Sequence, residues 1–305
     1  MTFSEFTTRF ATEEQCREYL YLLRWPGGFV CPKCKGEEGA WPVGATLYTC
    51  KKCRHQISVI AGTIFQDTRK PLKEWFTAIW WITTQKNGAS AMGLQRVLGL
   101  KSYTTAWTWL QKIRKAMVHP TRTKLSGTVE VDECYIGGEE HEGKRGRGTE
   151  NKSVVVIGVE LLEGKNQLGR VRMKVVLDAS GNSLVGFIQE NVKAGSTVVT
   201  DGWSGFSSLG NSGYKHLIPK KFEVSDPKNT LPHVHMIVSL LKRWLLGTHQ
   251  GAVEEMHLQA YLDEYVFRFN RRKSADRGLL FYRLLECAMV VPPTTQDELL
   301  GHKML

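Results

Sequence analysis

No stretch of this sequence is apolar for long enough to cross a bilayer; a cluster such as residues 78–82 falls far short of the ~20 residues that a spanning helix needs. Residues 1–16, MTFSEFTTRFATEEQC, lack the basic-then-apolar pattern of a secretion signal, so a cytoplasmic location is expected. A GxxxxGK[ST] phosphate loop is missing, which leaves no evident ATP site. Internal repeats are missing too, which argues against solenoids and propellers. Acidic residues are in deficit, with 30 Asp and Glu against 41 Lys and Arg, a formal net charge of +11. A surplus of that sign, with aromatics at 10%, points to a polyanionic partner and favours nucleic acid.

What is present suits a folded chain. Its 305 residues suffice for two or three domains with cores of their own. Seven cysteines in a chain expected in a reducing compartment argue for metal or spare thiols rather than disulfides. Four of them form two CxxC pairs, Cys31 with Cys34 and Cys50 with Cys53, fifteen residues apart. Each CxxC turn offers two thiolates to one tetrahedral ion, and two turns complete a closed shell. A structural zinc is therefore expected, one that folds the segment and does no chemistry. Lys33, Lys51, Lys52 and Arg54 ease the crowding of four thiolates, and His55 stands beside the second pair as a spare. Cys16, Cys134 and Cys287 are isolated and expected to be structural.

Hydrophobic periodicity sets the order of elements. Residues 1–24 read as a short helix, and 25–66 as a Gly-, Pro- and Cys-rich stretch without a core of its own. Over 70–118, Leu72, Trp75, Phe76, Ile79 and Trp80 recur at helical spacing. Asn87-Gly88 and Gly99 then divide the segment into three helices, the third started by Ser102 or Thr104. Three short helices around a tight turn are compatible with a helix-turn-helix or with a brace for the next domain. Lys101, Ser102, Tyr103, Thr104, Thr105, Lys112 and Arg114 are its candidate DNA contacts.

The period then changes. Residues 128–135 and 170–177 alternate, and 153–162 form a nearly continuous apolar run, which gives three strands. A Gly-rich charged loop separates the first two, and its basic part, 144–152, adds positive charge. Residues 184–192 read as a helix, 196–200 as a fourth strand ending on Asp201, and the chain from 232 onward as helical. Three strands, a helix and a fourth strand open an RNase H-like fold, in which the first and fourth strands are neighbours. Asp132 on the first and Asp201 at the end of the fourth would meet at one edge, where two carboxylates hold divalent ions for phosphodiester chemistry. Arg271, Arg272 and Lys273 leave the last apolar helix stripe together and are candidate phosphate contacts.

Several segments resemble a known family. VDECYIGG at 131–138, TDGWSGF at 200–206, and LKRWLLGTHQG followed by HLQAYLDEYVFRFNRR within 241–272 are similar to the DDE-type insertion-sequence transposases of the bacterial branch related to Merlin transposons. The cysteine pairs and AGTIFQDTRKPLKEWFTAIW at 61–80 resemble that family's N-terminal half. The resemblance implies a metal-binding triad whose first members are Asp132 and Asp201, with a lysine seven residues beyond the third. Lys242 matches that lysine, and His235 stands at the third position where the family more often has Glu. An Asp-Asp-His site would favour Mn²⁺ over Mg²⁺ more than three carboxylates would. Asp178 reads as a turn cap, Glu133 faces away from Asp132, Glu254 and Glu255 lie too far along, and Glu223 and Asp226 fall in a Pro-containing loop.

The expected architecture is α+β and multidomain: a helix and zinc ribbon over 1–66, a helix-turn-helix-like DNA-binding segment over 67–122, an RNase H-like α/β catalytic domain over 123–291, and a tail over 292–305. The resemblance implies recognition of terminal inverted repeats in double-stranded DNA, metal-dependent strand cleavage and strand transfer to a target. It also implies a homo-oligomer, at least a dimer, and association with the nucleoid. Two other readings stay open: a zinc-ribbon DNA-binding protein derived from a transposase but no longer cutting, and an RNase H-type nuclease that cuts without joining.

Overall fold

A computed structural model describes residues 1–137, 152–162, 167–220, 229–249, 253–274, 276 and 278–301. It divides into two compact units, Met1–Pro120 with Ser274–Leu305, and Thr121–Lys273. Among the described residues, no helix is long and apolar enough to cross a membrane.

The first unit opens with two helices where one was expected, α1 (Phe3–Arg9) and α2 (Glu13–Arg24). The break is chemical. Thr12 accepts the backbone N–H of Gln15, and Gln15 reaches back to the N–H of Thr12, a capping box that starts a new helix. The cysteine-rich segment follows as an antiparallel sheet of β1 (Ala40–Val43), β2 (Leu47–Cys50) and β3 (Gln56–Ser58). Then come α3 (Leu72–Thr84), α4 (Ala91–Leu98) and α5 (Tyr103–Ala116), the three helices read from periodicity. Gly99 at φ 62° ends α4 in the left-handed conformation that favours glycine. Pro71 offers α3 no side-chain cap, and the Glu13 carboxylate does so from α2, accepting the N–H groups of Leu72 and Lys73.

The second unit holds a five-stranded mixed sheet of β4 (Thr128–Gly137), β5 (Lys152–Leu162), β6 (Gln167–Val176), β7 (Thr197–Val199) and β8 (Lys215–Leu217), in the order β6-β5-β4-β7-β8. β4, β5 and β6 pair antiparallel, while β7 joins β4 and β8 joins β7 in parallel. Alternation sorts β4 between two cores. Val129 and Val131 pack with Leu184, Phe187 and Ile188 of α6 (Gly181–Asn191). Cys134 and Ile136 pack on the other face, with Val234, Ile237 and Leu241 of α7 (Pro232–His249) and Leu262 of α8 (Glu255–Asn270). α8 also covers the free edge of β6: Asn270 bonds both backbone groups of Val171, and Gln259 bonds Val175 N and Met173 O. An edge strand satisfied in this way offers no template to another chain.

The expected division of the chain needs correction at its C-terminal end. α9 (Gly278–Val290) belongs with the first unit, as does the short α10 (Gln296–Leu299). Phe281 of α9 packs 5.5 Å from Phe10 and 5.8 Å from Phe76, completing an aromatic core. An apolar helical stripe shows that a helix is buried but not which core buries it. The boundary between the units falls after Lys273 rather than at residue 291.

Candidate metal centres and active site

The four paired cysteines converge. Cys31 Sγ lies 3.7 Å from Cys53 Sγ, Cys34 Sγ lies 3.7 Å from Cys50 Sγ, and all four sulfurs lie within 4.8 Å of one another. Four sulfurs at ~2.3 Å from a central Zn²⁺ form a tetrahedron with edges of about 3.8 Å, so the cluster fits zinc. The two turns are built alike. Cys31 N donates to Gly36 O and Lys35 N to Cys31 O; Cys50 N donates to His55 O and Arg54 N to Cys50 O. Backbone N–H groups of the first turn, those of Cys34 and Lys33, pull the Cys31 thiol down to about 6, which favours the thiolate that metal binding requires. His55 serves here through its backbone carbonyl.

The second site grows from strand register. Glu130 on β4 pairs with Val199 on the parallel β7. Two residues further along each chain stand Asp132 and Asp201, so the register points both acids to one end of the sheet. Gly202 follows at φ 81°, and a Cβ there would meet Ile218 Cγ2 at 3.0 Å. Only glycine suits that turn. Asp201 is exposed and accepts the N–H of Trp203 at 2.9 Å. The carboxyl of Asp132 is mostly buried, and its pKa rises to about 6. Burial is the main cause, followed by the charges of Glu133 and Asp201; the Glu133 N–H and His235 oppose it.

His235 reaches this carboxylate from the first turns of α7. Its Nε2 lies 3.2 Å from Asp132 Oδ2, and its Nδ1 lies 2.6 Å from Asn229 Oδ1. With the amide oxygen as acceptor, Nδ1 carries the ring proton and Nε2 directs a lone pair at a carboxylate oxygen. Metal-bound histidines commonly have this form, one nitrogen free and the other donating to an oxygen. Lys242 lies seven residues on, two helical turns, and is therefore on the same face of α7. Its charge is felt at Cys134, the second residue beyond Asp132 on the same face of β4, whose thiol burial pushes up to about 12. Asp132, His235 and Lys242 thus gather on one side of the sheet, with Asp201 acting on Asp132 through charge. Among the described residues, the four cysteines alone form a closed group of three or more such ligands.

Comparison with known proteins gives the same two regions. Residues 124–270 match the ISXO2-like transposase domain, and residues 11–56 match the transposase zinc-ribbon domain. By these two matches the chain is similar to ISXO2-like transposases that carry a zinc ribbon. It is also 26% identical, over 281 residues, to an uncharacterized protein in the transposable element ISH50 of Halobacterium salinarum, covering 85% of this chain and 91% of that one. The zinc-ribbon match and the cysteine cluster together point to structural zinc in this chain.

Several residues singled out in the sequence lie elsewhere. Arg114 is 1% exposed and donates to Ala89 O, so it is a buried tie and not a DNA contact, because α5 is packed on more than one face. Lys112 is half-buried, while Lys101, Ser102, Tyr103 and Thr104 at the start of α5 are exposed. Ser102 occupies the N-cap position without a side-chain cap bond. Arg272 donates to Gly169 O and Leu168 O and stacks on Phe269; Arg271 stacks on Phe267, and Lys273 donates to Gln167. Arg272 and Lys273 thus hold the start of β6, while Arg271 lies against its own helix, so these candidate phosphate contacts also have partners within the fold. Asp178 caps its turn as expected, accepting Ser180 N and Ser183 Oγ, which holds its pKa low. Glu254 is exposed at the start of α8, with Glu255 next to it. The basic loop at 144–151, Glu223 and Asp226 lie outside the described residues.

Three residues of the site escaped the sequence reading: Asn229, Glu130 and His233. Glu130 carried a signal, a charge at an inward position of a strand, in step with Asp132. Asn229 carried none, because its partner lies six residues on across a helix start.

Proposed function

We propose that this chain is a DNA transposase that binds the terminal inverted repeats of its element and carries out divalent-metal-dependent strand cleavage and strand transfer. The observation that carries this reading is the contact of His235 Nε2 with Asp132, its other ring nitrogen held by Asn229. The strand order β6-β5-β4-β7-β8 supports it, since numbered within the unit it is the third, second, first, fourth and fifth strands of an RNase H-like sheet.

In this reading Asp132, Asp201 and His235 are the ligands of the catalytic ion. Mg²⁺ or Mn²⁺ bound there would activate the attacking oxygen and neutralise the charge on the leaving one. Asp132 must give up its proton to bind, and its raised pKa moves that step up to about pH 6. Lys242 holds a DNA phosphate from the same face of α7, fixing the scissile bond for in-line attack. First, water attacks a phosphodiester at the element's end and releases a 3′-hydroxyl. That hydroxyl then attacks a target phosphodiester; one P–O bond forms and one breaks, so no nucleotide cofactor is consumed. The zinc ribbon and the segment around α4 and α5 recognise DNA, with Lys101 and Lys112 as contacts, and Arg271, Arg272 and Lys273 lie next to the catalytic sheet as weaker ones. The working form is a homo-oligomer, at least a dimer, so that two ends are held together.

The test is a cleavage and strand-transfer assay on labelled ends taken from beside the gene, with Mg²⁺ or Mn²⁺, for the parent, Asp201→Ala and His235→Ala. The expected result is cutting and joining by the parent alone. Cutting without joining identifies a nuclease, and binding without cutting identifies a DNA-binding derivative.

A further inference from the structure

Glu130 is 4% exposed, yet it carries a charge on the strand that holds Asp132. A buried carboxylate is costly unless its oxygens are bonded. Among the described residues, its hydrogen-bond partners lie at the start of α7. Oε2 accepts the backbone N–H of His233 at 3.0 Å and of Val234 at 2.9 Å, and Oε1 lies 2.6 Å from His233 Nδ1. Pro232 opens α7, and the first turn of a helix leaves N–H groups unpaired. Here a strand residue supplies the missing cap, as Glu13 does for α3.

We infer that Glu130 is a positioning residue: it docks the first turn of α7 onto β4 and so sets His235 at contact distance from Asp132. Geometry links the two contacts. Glu130 and Asp132 are two residues apart on one face of β4, and His233 and His235 are two apart at the start of α7. The strand rises about 6.6 Å over that step and the helix about 3 Å, so the Glu130 cap and the His235–Asp132 contact pin the same helix end at two nearby points. Without the cap, α7 still has its apolar stripe of Val234, Ile237, Leu241 and Leu245 to hold it on the sheet, but the exposed His235 is left as the remaining pin against slide and rotation at the N-terminal end. A ligand set needs tolerances of about half an ångström, which apolar packing alone does not supply.

This rests on the proposed reading of His235 as a ligand, and the test separates the two. The full-length, zinc-loaded chain is titrated with Mn²⁺, and free Mn²⁺ is read by electron paramagnetic resonance. In parallel, ¹⁵N-histidine spectra of the same protein without Mn²⁺ report the ring of His235. The variants are Glu130→Ala, Glu130→Gln, Glu130→Asp and His235→Ala. Glu130→Ala should weaken Mn²⁺ binding about tenfold or more, as losses of outer-shell partners do, and move the His235 ring signals before any Mn²⁺ is added. Gln keeps the length, accepts both backbone N–H groups through its oxygen and donates to His233 Nδ1, so Glu130→Gln should restore both readouts. Asp keeps the charge but is one methylene short, so Glu130→Asp should behave like the alanine variant. Where Glu130→Ala does not fold, the Gln and Asp pair decides the matter.

The inference is overturned if folded Glu130→Ala binds Mn²⁺ as the parent does with His235 signals unmoved, or if Gln loses as much as Ala, which would make the charge and not the geometry the active property. If His235→Ala leaves Mn²⁺ binding unchanged while Glu130→Ala still moves the His235 signals, the positioning role stands and the ligand role of His235 falls.

Discussion

Lys35 and Arg54 hold equivalent places in the zinc ribbon, each one residue after the second cysteine of its pair and each left-handed, at φ 59° and 60°. The conformation lets the chain fold back so that the N–H of each donates to the carbonyl of the first cysteine. A residue with a Cβ bears a cost there of roughly 1–2 kcal/mol, and a β-branched one more. Lys35 is exposed, so its substitution tests the backbone alone. Lys35→Val should lower the zinc-loaded ribbon's stability by about 1–2 kcal/mol, while Lys35→Gly should lose nothing, as followed by thermal melting and by the rate of zinc loss to a chelator. Equal effects of the two would show that φ at this position is not what matters. Full removal of zinc should unfold β1, β2 and β3 and leave the sheet of the second unit protected in hydrogen exchange.

Asp263 on α8 provides a pH test away from the proposed active site. Burial raises its pKa to about 6, against a hydrogen bond from Gln259 and the charge of Arg122. The folded state therefore binds this proton more tightly than the unfolded chain. Its contribution is fully present below about pH 4 and is lost as pH rises through 6. Asp263→Asn keeps an oxygen for Gln259 and removes the charge. It should stabilise the protein by about 1–3 kcal/mol at pH 8, with the gain shrinking toward pH 4.5, in urea denaturation at the two pH values. A gain independent of pH would rule out ionisation as its source.

The choice of metal follows from the donor set. An imidazole in place of a third carboxylate favours Mn²⁺ over Mg²⁺. His235→Glu should raise cleavage in Mg²⁺ relative to Mn²⁺ several-fold, measured as the ratio of initial rates at saturating metal. No change in that ratio would place His235 outside the coordination shell.

Arg114 and Lys101 are both basic residues of the helical segment, and the structure gives them opposite parts. Arg114→Ala removes a buried guanidinium and its bond to Ala89 O, and should destabilise the fold by about 1–3 kcal/mol. Lys101→Ala should leave stability within about 0.5 kcal/mol and lower the dependence of DNA affinity on salt by about one counterion. A Lys101 variant whose affinity and salt slope equal the parent's would move the DNA surface away from the start of α5.

Much of this molecule could be read before any coordinates. The zinc cluster is local chemistry: two CxxC turns need only their own backbones to present thiolates. The helices around Trp75 and Trp109, and the strands carrying Asp132 and Asp201, follow from apolar periods of 3.6 and 2, properties of neighbouring residues. β8 was missed because Lys215–Leu217 is too short to show a period. What only the tertiary structure decided are relations between distant segments. Phe281 assigns α9 to the first unit's core, Arg272 closes on the β6 edge, and Glu130 caps a helix through His233, 103 residues away. Periodicity says that a face is buried, and composition says that a charge exists. Which face meets which, and whether a charge faces solvent, a carbonyl or a metal, depends on chain closure over long separations, and no local pattern encodes that.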